Sequence, residues 1–315
     1  MDIEMLKQLT NQLKEQIGTV ILGKEEQVEK VLLCLYSGGH ILLEDIPGTG
    51  KTSLAKALAR SLDCSFKRIQ FTPDLLPSEL TGINYYNQKE QAFQFRPGAI
   101  FANILLADEI NRATPRTQSS LLECMEERQC TVDGVSYPMP RPFLVIATQN
   151  PVETQGTFPL PEAQLDRFLM RLSLGYPQAQ QEQAMLASYR ETSPMDALVP
   201  ICSQQQILDA QKLVTQIRVS QPVAEYLVAL ANATRQHAQI RLGLSPRGVI
   251  ALMRASQAKA AVQGRDYVLP DDAKAVFLDV AAHRIICHGY QMGQENAAQE
   301  HLRQILADTP APVEA

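Results

Sequence analysis

The 315-residue chain has no tryptophan, and aromatic residues make up only 6% of it. Its six cysteines include no Cys-x-x-Cys pair, and we interpret them as small buried side chains in a reducing compartment. No apolar stretch approaches the ~18 residues that a membrane-spanning helix needs. The segment Met1-Asp2-Ile3-Glu4 lacks the basic region and apolar core of a secretory signal, so we expect a cytoplasmic location.

The chain also lacks a basic stripe with interleaved aromatics. Lysine and arginine number 29 against 34 acidic residues, which gives a net charge of −5 and an isoelectric point near 5.6. This balance argues against a broad nucleic-acid surface. The length suits two domains of ordinary size, and 45% hydrophobic residues are enough to build their cores.

The most informative segment is residues 44–52, EDIPGTGKT, which follows the apolar run 41–43 and precedes a helix-forming stretch. A strand, a glycine-containing loop and a helix in this order are the context of a Walker A motif. Backbone N–H groups of such a loop can surround an anion, and the helix N-terminus adds its positive dipole end. The strict pattern has glycine where Asp45 stands, and the alternative is a glycine turn with an exposed lysine. We expect the loop to hold a nucleoside triphosphate through Asp45, Ile46, Pro47, Gly48, Thr49, Gly50, Lys51, Thr52 and Ser53.

Three later segments strengthen this interpretation. Residues 103–109, NILLADE, predict a buried strand that ends in two carboxylates, where open α/β sheets bind ligands. The alternative is an acidic helix N-terminus. Residues 143–151, FLVIATQNP, predict a second buried strand ending in amides, although Asn-Pro alone is also a turn signal. In residues 245–247, SPR, serine as N-cap and proline at the first position predict a helix with Arg247 in its first turn.

In this order, the four segments resemble Walker A, Walker B, sensor 1 and sensor 2 of the AAA+ ATPases. The wording of residues 42–52, 107–113, 147–151 and 160–168 is most similar to the MoxR branch, which also tends to carry aspartate at the position of Asp45. The resemblance is dense from about Val20 to Tyr176 and thinner in the C-terminal part.

The resemblance implies a role for each matching residue. Lys51 would contact the β- and γ-phosphates of ATP, and Thr52 and Asp108 would hold Mg²⁺. Glu109 would polarise the attacking water, and Asn150 would serve as sensor 1. Arg247 would act as sensor 2 and contact the nucleotide.

Arg167 would be the arginine finger offered to a neighbouring subunit. Arg112 and Arg116 are other candidates for this role. The alternative for Arg167 is an ion pair with Asp166 or a nearby carboxylate.

The pattern of apolar runs predicts an α/β fold in two parts. Together with the family resemblance, this pattern implies a P-loop AAA+ core with a parallel sheet covered by helices in residues 1–177, and an all-α lid domain in residues 178–315. The turn Val20-Ile21-Leu22-Gly23 would either pack against the adenine ring or simply fill the core.

Two hairpins, centred on 87–90 and on Asp133-Gly134, would interrupt the core and touch the substrate. Strands are predicted near 41–44, 66–70, 103–107, 143–147 and 169–174, and C-terminal helices at about 178–190, 203–214, 222–236, 246–262, 270–284 and 294–306.

The expected activity is ATP hydrolysis with Mg²⁺ that drives conformational work. The family resemblance implies a homo-oligomer, usually a hexameric ring, and chaperone-like action on a partner with a von Willebrand factor A domain. Three other functions stay open: a nucleic-acid motor or loader, the ATPase subunit of a magnesium chelatase, and a nucleotide-gated scaffold. Stimulation of ATPase activity by DNA would favour the first of these, and intact Asp108, Glu109 and Asn150 count against the last.

Overall fold

In the part of the chain that the structure describes, five parallel strands form the central sheet. The protein is described here by a computed structural model of residues 1–150, 156–189, 193–289 and 295–312. Four of these strands are short, largely apolar runs, which suits a parallel sheet covered on both faces, while the strand at 66–70 carries polar residues and is partly exposed. The strands of this sheet are β1 (Ile41–Glu44), β2 (Phe66–Gln70), β5 (Ile104–Asp108), β8 (Leu144–Gln149) and β9 (Met170–Leu172). Their spatial order is β2-β5-β8-β1-β9.

Alternate residues of these strands face two separate hydrophobic cores, because side chains of a strand point to opposite faces with a period of two. Leu43 and Ile146 join a large cluster that also contains the buried faces of the N-terminal and C-terminal helices. Leu42 and Val145 join a smaller cluster on the other face. The α-helices described up to residue 165 are α1 (Ile3–Gly18), α2 (Glu25–Tyr36), α3 (Lys51–Ser61), α4 (Pro77–Thr81), α5 (Pro115–Glu127) and α6 (Glu162–Leu165).

The N-terminal helices link the sheet to the C-terminal part of the chain. In α1 the apolar side chains at three- and four-residue steps, Leu6, Leu9, Leu13 and Ile17, are all buried, as the amphipathic pattern indicates. The Asp2 carboxylate caps this helix by accepting a hydrogen bond from the Met5 amide at 2.8 Å. The hydrophobic cluster that holds α1 and α2 continues into the helices after residue 200, so the two parts share one core.

Two antiparallel hairpins project from the core, as predicted. They consist of β3 (Gly82–Asn87) with β4 (Ala92–Pro97), and β6 (Gln129–Val132) with β7 (Val135–Pro138). The hairpins contact each other: Phe95 stacks on Tyr137 with ring centroids 3.9 Å apart, and Asn84 donates a hydrogen bond to Asp133. They therefore form one joined projection, which we call the paired hairpins.

The C-terminal part is helical and confirms the predicted fold class. It contains α7 (Ala179–Ser188), α8 (Gln204–Gln216), α9 (Gln221–Gln236), α10 (Pro246–Val262), α11 (Pro270–Ala281) and α12 (Glu295–Asp308). It adds a short antiparallel ribbon of β10 (Ile240–Leu242) and β11 (Ile286–Cys287), which the helical periodicity did not predict. Residues 190 and 294, at the ends of two predicted helices, lie outside the described residues. The boundary between residues 177 and 178 stays a prediction.

Candidate nucleotide-binding site

The phosphate loop connects the end of β1 to the start of α3. Gly48 and Gly50 have φ angles of 86° and 91°, in the left-handed region that side chains with a Cβ atom rarely adopt. Gly50 is the N-cap of α3. Because glycine has no side chain, no N-cap side chain accepts a hydrogen bond from the first amides of this helix. Those amides and the positive end of the helix dipole point to a place where an anion is stabilised.

Lys51 is the first residue of α3, and its side chain folds back over the loop. The Nζ atom donates hydrogen bonds to the backbone oxygens of Asp45 at 2.8 Å and Ile46 at 3.2 Å. Burial lowers the pKa of the Lys51 amine, while the negative charges of Asp45, Asp108 and Glu109 oppose that change. An anionic phosphate would replace the two carbonyl oxygens as a partner and would favour the charged form of the lysine.

The two predicted carboxylates stand at the end of β5, beside β8. Thr148 of β8 donates its hydroxyl to Asp108 at 2.6 Å and accepts the Glu109 amide at 2.9 Å. Glu109 has a φ angle of 55°, a left-handed conformation that costs free energy in a residue with a Cβ atom. The hydrogen bond from the Glu109 amide to the Thr148 hydroxyl holds this turn in place.

The neighbouring strand β2 supplies two partners that sequence reasoning missed. Arg68 donates to one oxygen of Asp108 through two nitrogens, at 2.6 and 3.1 Å, and Gln70 donates to Glu109 at 2.8 Å. Residues two apart on a strand share a face, and β2 pairs with β5 so that Gln70 stands opposite Asp108. The polar residues of 66–70 are a signal in the sequence, but the pairing of β2 with β5 is a property of the folded sheet.

These side chains share one cleft of about 400 Å³ at the carboxyl edge of the sheet. Asn150, which is 6% exposed, lies at the end of β8 and completes the wall that β5 begins. The cleft is lined by Pro47, Gly48, Gly50, Lys51, Thr52, Ser53, Arg68, Gln70, Asp108, Glu109, Thr148, Gln149 and Asn150. The structure thus brings together Pro47, Gly48, Gly50, Lys51, Thr52 and Ser53 of the predicted phosphate loop, both carboxylates and Asn150, while Asp45, Ile46 and Thr49 of that loop are not among the lining residues. Pro151 of the predicted sensor 1 segment lies outside the described residues.

The donor set of this cleft fits a magnesium ion. Mg²⁺ prefers carboxylate, hydroxyl and water oxygens, and the Thr52 hydroxyl and the Asp108 carboxylate line the same space. The Arg68 guanidinium occupies one oxygen of Asp108, so a metal ion coordinated there would have to displace it.

Arg247 does not lie at this cleft. Its guanidinium contacts Glu126 at 2.9 Å, and Arg167 contacts the other oxygen of the same carboxylate at 2.8 Å. Glu126 is near the C-terminal end of α5, a helix that runs about 20 Å back from the region of Glu109. The predicted helix start therefore exists but lies away from the cleft of the same chain, and the contact of Arg247 with a nucleotide stays a prediction.

Contacts around the end of α5 show that this place is the amino edge of the sheet. Arg128 donates to the backbone oxygens of Phe143 and Gly38, which precede β8 and β1. The ring of His40 contacts the Met125 oxygen. Arg167 itself precedes β9. The amino edge is therefore opposite the edge that carries the phosphate loop.

A second contact set holds the start of α10 at the amino edge. Ser245 caps α10 by accepting a hydrogen bond from the Gly248 amide at 3.0 Å, and its hydroxyl also contacts Asp166. Asp166 forms an ion pair with the buried Arg284 at 2.7 Å. Arg167 pairs with Glu126 rather than with Asp166. Within the single chain, it therefore forms the ion pair with a nearby carboxylate that the sequence analysis gave as the alternative to a finger role.

The other two finger candidates lie near the opposite end of α5. Arg112 contacts the Glu109 carboxylate at 3.1 Å, so it belongs to the surroundings of the cleft. Arg116 is exposed in the first turn of α5.

The turn at Val20 and Ile21 is buried, and the Ile21 side chain lies against Gly50 of the phosphate loop. This turn can therefore serve both as part of the core and as a wall beside the nucleotide.

The sheet order, the phosphate loop and the paired carboxylates define a protein of the AAA+ ATPase class. Residues 40–170 match the model of the ATPase family associated with various cellular activities, and residues 232–305 match the AAA lid domain. The solved structure of a candidate ATPase from Cytophaga hutchinsonii superposes with a TM-score of 0.90 at 36% identity, and covers 99% of this chain and 97% of that one.

Named relatives narrow the class. Chaperone MoxR1 of Mycobacterium tuberculosis is 38% identical over 94% of this chain and 81% of its own length, and protein MoxR of Paracoccus denitrificans is 31% identical over 94% of both. The protein YeaC of Bacillus subtilis, whose function is uncharacterised, is 46% identical over 99% of this chain and 97% of its own. The chain belongs to the MoxR family of AAA+ ATPases.

The described residues contain no helix that is long and apolar enough to cross a membrane.

Proposed function

We propose that the chain hydrolyses ATP and uses the reaction to remodel or mature a partner protein. The observation that carries this proposal is the single cleft shared by Lys51, Thr52, Asp108, Glu109 and Asn150. Its residues combine a cradle for phosphates with a general base and an amide near the position of the attacking water.

The reaction divides among the residues of the cleft as follows. Lys51 leaves the loop carbonyls and binds β- and γ-phosphate oxygens. Glu109 accepts a proton from water as the water oxygen bonds to the γ-phosphorus, and the bond to the β–γ bridging oxygen breaks with its electron pair leaving on ADP. Asn150 orients the water. Mg²⁺ held by Thr52 and Asp108 would neutralise charge on the phosphate oxygens.

The amino edge supports a role for a neighbouring copy of the chain. Arg167 and Arg247 share one carboxylate on a surface opposite the cleft, where both remain accessible: their side chains are 27% and 46% exposed. In a ring, this edge of one subunit would face the nucleotide of the next, and both arginines would then release Glu126 to contact phosphate oxygens. The MoxR resemblance supports a hexameric ring, and the name of the M. tuberculosis relative supports chaperone-like work. A partner with a von Willebrand factor A domain follows from the resemblance alone.

The substitution Glu109→Gln tests the hydrolytic mechanism. It keeps the size of the side chain and one acceptor oxygen but removes the base, so we expect turnover to fall about 10²–10⁴-fold while ATP affinity stays within a few-fold. Steady-state phosphate release and binding of a fluorescent ATP analogue measure the two quantities. Glu127→Gln, at an exposed position of α5, is the matched control. Near-normal turnover in Glu109→Gln would refute the assignment.

The tip of the paired hairpins is a candidate contact with the remodelled protein. Phe93 is 75% exposed and Tyr86 52% exposed, and their rings meet edge to face at 5.4 Å. Aromatic side chains are enriched in protein–protein contact surfaces. We expect Phe93→Ser to leave basal ATP turnover within twofold but to abolish its stimulation by a partner protein, since the change removes contact area far from the cleft. Unchanged stimulation would exclude the hairpin tip as the contact.

A further inference from the structure

Asp45, the residue that replaces the first glycine of the strict phosphate-loop pattern, has a buried carboxylate with three donors. It is 5% exposed. One oxygen accepts hydrogen bonds from the Ser173 hydroxyl at 2.8 Å and the Gly175 amide at 3.0 Å, and the other accepts from the Leu174 amide at 2.7 Å. A buried carboxylate costs free energy unless it is hydrogen-bonded, and these donors supply its partners.

The three donors belong to the segment by which the chain leaves the sheet. Strand β9 ends at Leu172, and α7, the first helix of the C-terminal part, begins at Ala179. Residues 173–175 are therefore the start of this exit segment. The same segment is held further along by Lys24, whose Nζ atom donates to the Tyr176 oxygen at 2.9 Å.

Asp45 also contacts the lysine of the phosphate loop. Its backbone oxygen accepts a hydrogen bond from Lys51 Nζ, while its carboxylate holds the exit segment. The described residues with positive φ angles do not include Asp45, so the backbone makes no demand for glycine here. One residue thus touches the phosphate-binding lysine on one side and the path to the C-terminal helices on the other.

We propose that Asp45 is a positioning residue that couples nucleotide occupancy of the phosphate loop to residues 173–175. When Lys51 turns from the Asp45 oxygen to a phosphate, the loop start shifts and the carboxylate transmits the shift to the exit segment, and so to the C-terminal helices. This inference rests on the proposed function, since it needs ATP to bind the loop. A glycine at position 45 would keep a phosphate loop but would lose the connection.

Hydrogen–deuterium exchange of the full chain tests the coupling, with and without a non-hydrolysable ATP analogue and Mg²⁺. In the natural protein we expect slow exchange at the Leu174 and Gly175 amides and a measurable change when the analogue binds. In Asp45→Gly both amides should exchange about tenfold faster or more, because their buried acceptor is gone. Their exchange should no longer respond to the analogue.

Kinetics separates coupling from simple loss of structure. We expect Asp45→Gly to lower kcat about tenfold or more, with KM changed less than about threefold, because the loop still binds but no longer moves the exit segment. Asp45→Asn keeps one acceptor oxygen and should expose at least one of the two amides, with an intermediate kcat. Ser173→Ala leaves both amide contacts and should resemble the natural protein at those amides. Asp196→Asn, at an exposed position, is the control for charge removal.

The outcomes distinguish this inference from the proposed function. Normal exchange at residues 174–175 in Asp45→Gly, or an intact response to the analogue, would overturn the coupling while leaving the ATPase proposal standing. A natural protein that binds no analogue would refute the ATPase proposal and the coupling together. In that case, faster exchange in Asp45→Gly would show only that the Asp45 carboxylate protects the Leu174 and Gly175 amides, and not that it couples them to the nucleotide.

Discussion

The two edges of the central sheet carry their charged residues in different ways. At the carboxyl edge, Lys51, Asp108 and Glu109 are held by hydrogen bonds from the loop and from adjacent strands, and all line one cleft. At the amino edge, Arg167 and Arg247 come from separate parts of the chain and share one half-exposed carboxylate. The first edge is a site built within one chain. The second is a pair of arginines whose shared partner, Glu126, can be replaced by another anion.

The difference is informative about assembly. An exposed ion pair contributes little to stability, about 0–1 kcal/mol, so the contacts with Glu126 can be exchanged for contacts with phosphate at small cost. The strained turn at Glu109 has the opposite character, because several contacts over-determine it. We therefore expect changes at the carboxyl edge to act within a subunit and changes at the amino edge to act between subunits.

The largest effect should come from the amino edge. Arg167→Ala removes the proposed finger and should lower turnover about 10³-fold or more, although this residue contacts nothing in its own cleft. Arg247→Ala should cost about 10–100-fold by removing a second charge-assisted contact. Both should bind ATP with nearly normal affinity. Arg218→Ala, at a 72% exposed arginine, is the control. Turnover within twofold of normal in both variants would remove the functional difference between the edges.

A smaller effect is expected from Arg68 at the carboxyl edge. Since its guanidinium occupies an oxygen of Asp108, Arg68→Ala should lower the Mg²⁺ concentration for half-maximal turnover about three- to tenfold. Arg68→Lys keeps the charge but loses the two-nitrogen contact and should fall between. Titration of ATPase activity with Mg²⁺ measures the effect. An unchanged or higher requirement for Mg²⁺ would show that Arg68 does not compete with the metal.

The smallest expected effect is on stability, and it comes from a cluster of ion pairs that lies away from both edges. Glu29 of α2 pairs with Lys14 of α1 and Lys259 of α10. Burial favours the neutral carboxyl, but the two lysines outweigh it and lower the pKa of Glu29 below its ordinary value of 4.5. The stabilisation is therefore present above pH 4.5 and is lost as the pH falls through the lower folded-state pKa.

Glu29→Gln tests this sign. It should cost about 1–2 kcal/mol at pH 7, since it leaves two part-buried lysines without their carboxylate. The difference in thermal midpoint from the natural protein should shrink between pH 5 and pH 3. Glu300→Gln, at a 77% exposed side chain, should change neither quantity. A difference that grows on acidification would contradict the assigned direction of the pKa.

Local sequence patterns predicted the carboxyl edge well because its residues follow directly after short apolar strands. The strand–loop–helix around Lys51 and the carboxylates after β5 needed only neighbouring residues to be recognised. The partners Arg68 and Gln70 could not be assigned, because they depend on β2 lying beside β5 rather than beside β1. Likewise, the cap of α10 at Ser245 was predictable, but the packing that takes Arg247 to Glu126 involves contacts between residues 121 positions apart.

Mixing two inactive variants measures the central claim, that the cleft of one subunit is completed by the amino edge of another. Lys51→Ala destroys a subunit's own cleft but keeps its arginines, and Arg167→Ala does the reverse. If the arginine acts between subunits, co-assembled mixtures should regain ATP turnover well above either variant alone, with a maximum near equal amounts. Mixtures that co-assemble but stay as inactive as the separate variants would contradict the account.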